Sequence, residues 1–310
     1  MTVVTVGSRA SHLARAQVAE YLAPLRRRFP RIVFRHRAVT ESADRDRRTT
    51  LAEVSRAAGG AAFSNAQEAA LLAGEVDLVV HSFKDLPAIS TPGLLLLPPP
   101  GRQDARDALC GSTLANLPEG ARVGTSAPRR IAQLLSARPD LQLVPIRGNV
   151  PPRLAKAKAG GLDAVVLAAA GLRRLGRAEG ITQLLPVEPF TPSPAQGALG
   201  IQIRSDDTAL RDLLTGLGNH EADAQVRAER AVLTALRSGC DLPLGAYARI
   251  RSDGSLSLTA RVTALDGTRE IAVTATGPAV DPEPLGRAVA EDLLRHGAGP
   301  LLDAARAVTG

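Results

Sequence analysis

Two proline-rich passages constrain this chain more than any other feature. Pro98-Pro99-Pro100-Gly101 and Pro186 to Pro194 each end regular structure abruptly, because proline lacks a backbone N–H and its ring blocks a helix interior. Between them strand-like and helix-like stretches alternate, at Ala121 to Gly124, Ile131 to Ala137, Leu141 to Ile146, Leu154 to Ala159 and Ala164 to Ala169. That alternation is the signature of an α/β unit. The chain before Pro98 reads the same way, with a strand in the first seven residues, a helix from Leu13 to Leu25, a strand from Ile32 to Val39, a helix from Phe63 to Leu72 and strands at Val76 to Val80 and Leu94 to Leu97. After Pro194, Leu199 to Ile203 resumes as a strand. The simplest arrangement is therefore two α/β lobes joined by two crossings, with the chain returning to the first. A long helix at Ala222 to Leu236, alternating strands at Ala246 to Ile250, Ser255 to Val262 and Glu270 to Thr276, and a helix at Pro284 to Leu294 make a small α+β third unit. The expected boundaries are 1–98 with 196–217 for the first lobe, 99–195 for the second and 218–310 for the third unit. The cleft between the lobes is the default ligand site.

Composition narrows the function. With 310 residues, 45% hydrophobic and 22% charged, the chain has ample material for a core. No apolar run reaches the roughly 18 residues of a membrane-spanning helix, and the N-terminus enters a strand without a signal-peptide core. The expectation is a cytoplasmic protein with no membrane partner. Cys110 and Cys240 are too few for a disulfide framework and lack zinc-site spacing, so no metal is expected. No glycine-rich nucleotide fingerprint occurs. The formal charge of +7 is carried almost wholly by arginine, since Lys84, Lys156 and Lys158 are the only lysines. Aromatic residues are only 2% and tryptophan is absent, which argues against nucleic acid. The guanidinium fork binds carboxylate or phosphate in bidentate fashion, and a small polyanionic partner fits better.

The candidate residues lie where strands should end. Beyond the buried run Val76 to Val80 comes His81-Ser82-Phe83-Lys84-Asp85-Leu86-Pro87, and ligands of open α/β sheets bind outside the carboxyl ends of strands; Lys84 and Asp85 are thus aimed at a ligand. Four arginine-bearing loops fall at equivalent places: Gly7-Ser8-Arg9, followed by Ser11 as the N-cap of a helix; Gly124-Thr125-Ser126-Ala127-Pro128-Arg129-Arg130; Arg147 to Arg153; and Gly171-Leu172-Arg173. Small residues let backbone N–H groups approach an anion, and the arginines supply charge. Glu41 to Arg48 is charged and aperiodic, the pattern of a mobile loop. Cys240 follows a helix-ending Ser238-Gly239 and sits in a loop, whereas Cys110 reads as a buried strand residue. His81 and His220 read as structural.

In these motifs, and in Ala168 to Gly176, Gln196-Gly197-Ala198, Ala228-Glu229-Arg230-Ala231 and Gly239-Cys240, the sequence resembles the porphobilinogen deaminase (hydroxymethylbilane synthase) family over essentially its full length. The resemblance implies two lobes like type II periplasmic binding proteins plus a small C-terminal α+β domain, in a monomer. It implies a transferase that joins four porphobilinogen units head to tail, with loss of ammonia, on a dipyrromethane cofactor held by a thioether to Cys240. Asp85 then protonates the leaving amine and stabilises the cationic azafulvene. Lys84, Asp85, Ser126, Arg129 and Arg130 fall at cofactor-binding positions, and Arg9, Ser11, Thr125, Arg147, Arg153 and Arg173 at substrate-binding ones. The sequence departs from the family at Ala10 and His12, at Ala61-Ala62 in place of Lys-Gly-Leu before Phe63, at Ala127-Pro128, Pro152, Ser193 and Ala195, and at Arg237-Ser238. Loss of a hydroxyl at Ala127 and of N–H groups at Pro128 and Pro152 removes donors from anion-binding loops. These changes motivate an alternative, a repurposed homologue acting on another small anionic compound. A solute-binding protein is a third reading, in which Cys240 has no role.

Overall fold

The structure is a computed structural model that describes residues 2–40, 64–146, 148–237 and 242–309. Its first sheet contains β1 (Thr2–Arg9), β2 (Ile32–Val39), β3 (Leu78–Ser82), β4 (Leu94–Leu97) and β10 (Leu199–Arg204), in the order β2-β1-β3-β10-β4. β1 runs parallel to both its neighbours, and β10 is antiparallel to β3 and β4. The expected return of the chain is thus realised as a central strand. Successive strand residues point to opposite faces, and the two faces are covered by different helices. Val4, Val6, Leu78 and Val80 pack with Val18, Leu22 and Leu25 of α1 (His12–Arg28). Val79 faces the other way, onto Ala70 and Leu71 of α2 (Asn65–Leu72). Burial on both faces is why these strands read as continuous apolar runs.

The second sheet contains β5 (Asp107–Cys110), β6 (Arg122–Gly124), β7 (Gln142–Val144), β8 (Ala164–Ala168) and β9 (Gln183–Leu184), in the order β7-β6-β8-β5-β9. β7, β6 and β8 are parallel, and each is followed at once by a helix: β6 by α3 (Pro128–Ala137), β7 by α4 (Val150–Lys158) and β8 by α5 (Ala169–Arg174). One face of the sheet packs Leu109, Val123 and Val166 on Leu134 of α3, and the other packs Cys110, Val165 and Leu167 on Leu154 and Leu172. Cys110 is a fully buried strand residue, as expected, and burial raises its thiol to about 11.

After α6 (Thr208–Thr215) and α7 (His220–Ala235) come the antiparallel strands β11 (Leu244–Ile250), β12 (Leu256–Thr263) and β13 (Glu270–Gly277). Helices α7, α8 (Glu283–Arg295) and α9 (Ala298–Thr309) pack on this small sheet around Val232, Leu258, Val289 and Leu302. α7 begins at His220 rather than Ala222, because Asn219 caps it by accepting a hydrogen bond from Ala222 N at 2.8 Å. α6 and α9 were not expected from the sequence. The loop at Glu41 to Arg48, Phe63 and Cys240 lie outside the described residues.

The three units meet at the second crossing. Glu229 of α7 has no solvent exposure, and its carboxylate accepts from Arg102 Nη1 and Nη2 at 2.6 and 3.0 Å and from the backbone N–H groups of Ala195 and Ala248, each at 2.6 Å. One acid therefore ties both crossings and β11 to α7. Beside it Gly197 adopts φ +96°, and a Cβ there would stand 2.2 Å from Gln103 O, so only glycine permits the close approach of the two crossings. Removing one partner of a buried, bonded ion pair costs about 3–5 kcal/mol. Glu229→Ala is expected to lower the urea denaturation midpoint by an equivalent amount, and an unchanged midpoint contradicts the role assigned to Glu229.

Candidate functional site

The carboxyl ends of the parallel strands in both lobes are turned toward each other. Arg9 closes β1, and Ser11 caps α1 by accepting from Ala14 N at 3.1 Å. β3 delivers the 3₁₀ turn Phe83–Asp85, in which Lys84 and Asp85 are half-buried. In the second lobe Arg129 and Arg130 occupy the first turn of α3, Arg153 the first turn of α4, and Arg173 lies in α5. The stretch Gly171-Leu172-Arg173, read from sequence as a loop, is helical. The lobes touch behind this edge, where a Cβ on Gly171 would stand 3.6 Å from Leu13 of α1 and Arg174 Nε pairs with Glu20 at 2.7 Å.

A buried carboxylate absent from the sequence reading organises the centre. Asp107, 1% exposed at the start of β5, receives Arg129 Nη2 at 2.8 Å and Arg130 Nη2 at 2.7 Å. Burial alone would raise its pKa, but the two guanidiniums outweigh that effect and hold the carboxyl well below the usual range. Arg129 also donates to Thr191 O at 2.9 Å, and Arg130 to Val166 O at 3.1 Å. Gln196, at the second crossing, donates through Nε2 to Asp107 Oδ1 at 2.9 Å and to Ala105 O at 2.6 Å. Its Oε1 accepts from Lys84 Nζ at 3.0 Å. Lys84 of the first lobe and the Arg-Arg pair of the second are thereby linked through one amide. Burial and the nearby Arg130 lower Lys84 to about 8, with Asp85 and Asp107 opposing the shift.

Several candidate side chains are already engaged within the chain. Ser126 Oγ donates to Ile146 O at 2.7 Å and accepts from Ile146 N at 2.9 Å. Thr125 is buried, with its hydroxyl accepting from Ala127 N at 3.3 Å. Arg153 Nε donates to Gly148 O at 2.7 Å, and Arg173 pairs with Asp104 at 3.1 Å. Arg147 and Cys240 lie outside the described residues. His81 is buried and lowered to about 4, mainly by burial and also by Arg9, against a hydrogen bond with Gln202. It stays neutral at physiological pH, consistent with a structural role.

Chemically, Lys84, Arg129 and Arg130 face Asp85 and Asp107, three cations against two anions, and the excess positive charge suits an anionic guest. The helix starts of α1, α3 and α4 add N–H groups at the same edge. Pro128 is the first residue of α3, and Pro151 and Pro152 fall in the first turn of α4, where backbone N–H groups have no intrahelical partner. These prolines leave the helices intact while withdrawing donors from the cleft edge. Ala127 is the N-cap of α3 with no side-chain cap bond. Asp107 had one sequence signal, a single acid in the apolar strand Asp107-Ala108-Leu109-Cys110; the amide of Gln196 had none beyond its motif.

Two measurements check this geometry. By ¹³C NMR, Lys84 is expected to titrate near 8; a midpoint near 10.5 contradicts the network. Because folding weakens proton binding at Lys84, its charge destabilises the native state below about pH 8, and this penalty fades as pH rises from about 8 toward 10.5. Ala127→Ser supplies an N-cap hydroxyl and is expected to raise stability by about 1 kcal/mol in chemical denaturation, whereas a destabilised variant counts against the assigned cap.

Residues 4–212 match the family model described as porphobilinogen deaminase, dipyromethane cofactor binding domain, and residues 224–295 match porphobilinogen deaminase, C-terminal domain. A porphobilinogen deaminase of Geobacter sulfurreducens is 42% identical over 299 residues, covering 96% of this chain and 93% of its own. One from Desulforudis audaxviator is 43% identical over 307 residues, covering 98% of each chain. Among solved structures, an arginine-specific periplasmic binding protein of Salmonella typhimurium aligns with 70% of this chain and 92% of its own, at 13% identity and a TM-score of 0.39.

Proposed function

The chain belongs to the porphobilinogen deaminase family, and from that premise we propose that it is the transferase that joins four porphobilinogen units head to tail, releasing ammonia at each addition, to give a linear tetrapyrrole. The observation that carries this reading is the cationic cluster spanning both lobes, Lys84 to Gln196 to Asp107 to Arg129 and Arg130, set beside Asp85. Each pyrrole bears acetate and propionate, so a growing chain accumulates carboxylates that such a cluster neutralises.

The donor set fits dipyrromethane, whose own carboxylates need fixed cations. Cys240 would carry it through a thioether, with Lys84, Asp85, Ser126, Arg129 and Arg130 around it. When bound, it supplies the primer to which pyrrole units are added. Arg9, Ser11, Thr125, Arg147, Arg153 and Arg173 would receive the carboxylates of incoming and added units. Ser126 and Thr125 act in part by fixing the loop between β6 and α3, since their hydroxyls already bond Ile146 and Ala127.

Asp85 has the central chemical role in this scheme. Its carboxyl group, in the protonated form, gives a proton to the departing amine so that the C–N bond breaks with release of ammonia, and the carboxylate left behind stabilises the positive charge that develops on the substrate carbon. The group is held in a short turn rather than on a mobile loop, so the stabilisation is preorganised. Lys84, fixed by Gln196, orients the carboxylates that bring the reacting carbon to Asp85. The departures at Pro128 and Pro152 sit in first turns that tolerate proline, so the reading retains the family's reaction. It also retains the units 1–98 with 196–217, 99–195 and 218–310, and a cytoplasmic monomer that binds neither nucleic acid nor membrane; no described helix is long and apolar enough to cross a bilayer.

Intact-mass spectrometry of denatured protein supplied with porphobilinogen is expected to give the chain plus one dipyrromethane, and Cys240→Ser the bare chain. Steady bilane formation should accompany the added mass. Asp85→Asn is expected to keep the added mass yet lose about 10²–10³ in kcat, the range for removing one preorganised electrostatic group. An unmodified cysteine after substrate supply, or no turnover by loaded protein, overturns the proposal.

A further inference from the structure

A second cavity lies away from the cleft, between the first lobe and α7 and α8. It has a volume of about 570 Å³, in the range of sites that enclose small ligands. Phe83, Leu96, Leu97, Pro98 and Val226 give it an apolar floor, and Arg227, Arg230 and Arg287 share its walls with Asp223 and Glu283. Three guanidiniums against two carboxylates leave an excess positive charge. Arg227 is neutralised, with Glu283 oxygens at 2.6 and 2.8 Å and Asp223 at 3.5 Å.

Arg230 is different. Its Nη2 donates to Pro87 O at 2.7 Å and Ala88 O at 3.2 Å, and its guanidinium lies 5.2 Å from the Phe83 ring centroid. Its Nε and Nη1 groups make no hydrogen bond, and no carboxylate pairs with it, among the described residues. Burial alone brings it down to about 10. Arg230 is half-buried, and a guanidinium with spare donors facing a cavity is placed to bind an anion through charge-assisted hydrogen bonds.

We propose that this cavity binds a small monocarboxylate with a compact apolar or aromatic body, its carboxylate on Arg230 and its body on the Phe83–Leu96–Val226 floor. The occupant would act on the reaction proposed above, because Arg230 and Thr234 grip the carbonyls of Pro87 and Ala88 that end the Phe83–Asp85 turn. That consequence rests on the proposed function; the binding itself does not. Filling the site pairs Arg230 and stiffens the segment that presents Lys84 and Asp85.

Benzoate is the probe, with benzyl alcohol as its uncharged counterpart, and calorimetry the readout, since it needs no turnover. Benzoate is expected to bind saturably and benzyl alcohol at least tenfold more weakly. Arg230→Gln, which removes the charge, and Ala235→Trp, which fills the cavity from an exposed helix position, should each weaken benzoate at least tenfold; Arg153→Ala, in the cleft, should not. Hydrogen exchange at residues 83–88 should slow with benzoate in the parent protein and not in Ala235→Trp. Absence of saturable binding, equal binding of the alcohol, binding that survives Ala235→Trp, or loss in Arg153→Ala alone overturns the proposal. If Arg230→Gln does not fold, Ala235→Trp decides. Failure of the deaminase reaction would leave the calorimetric result standing, and the reverse also holds.

Discussion

The geometry of the cleft depends on one carboxylate. Asp107 is buried in an apolar strand, and a charge in that position is stable only because two guanidiniums and an amide complete its coordination. The same bonds that stabilise Asp107 fix Arg129 and Arg130 at the head of α3 and, through Gln196, fix Lys84 across the lobe boundary. Charge neutralisation and the placement of these cations are therefore one arrangement. An anionic guest entering this site meets cations already held in place and does not have to order them itself, which reduces the conformational cost of binding.

A second acid performs the corresponding task for the units as a whole. Glu229 gathers Arg102, Ala195 and Ala248 around a single carboxylate, so the crossings are clamped to α7. Arg102 also lies over the Tyr247 ring at 5.3 Å and donates from Nε to Gln196 O at 3.0 Å. Gln196 thus belongs to both networks, with its side chain turned to Lys84 and Asp107 and its backbone to the clamp. A change at the junction is transmitted to the site through that residue. Both networks are buried and directional, so they specify a single relative placement of the units more than they add stability.

Much of this was legible in the chain. Alternating apolar runs and proline stops located the two lobes, the return strand at Leu199 to Ile203 and the small antiparallel sheet, because strands buried on both faces leave a strong sequence trace. The sequence also placed arginines at and just beyond strand ends, where Arg9, Arg129 and Arg130 are found. What stayed hidden was pairing. Nothing in a one-dimensional pattern says that Asp107 will meet Arg129 and Arg130, or that Glu229 will meet Arg102, since these contacts are made by the crossings and not by any periodic element. The helical state of Gly171 to Arg173 was missed for a related reason: a six-residue helix beginning directly after a strand has too few turns to show periodicity. The arginines were thus read as a set, but which of them carry a protein counter-ion became visible only in three dimensions.

The central claim is that Lys84 and the Asp107–Arg pair function as one unit through the amide of Gln196. A double-mutant cycle on kcat/KM for porphobilinogen, using Lys84→Met, Gln196→Leu and both together, measures this most directly. The account predicts a coupling energy of about 0.5–3 kcal/mol, as found for residues in one hydrogen-bond network. Effects that add to within about 0.3–0.5 kcal/mol would show two independent side chains and contradict it.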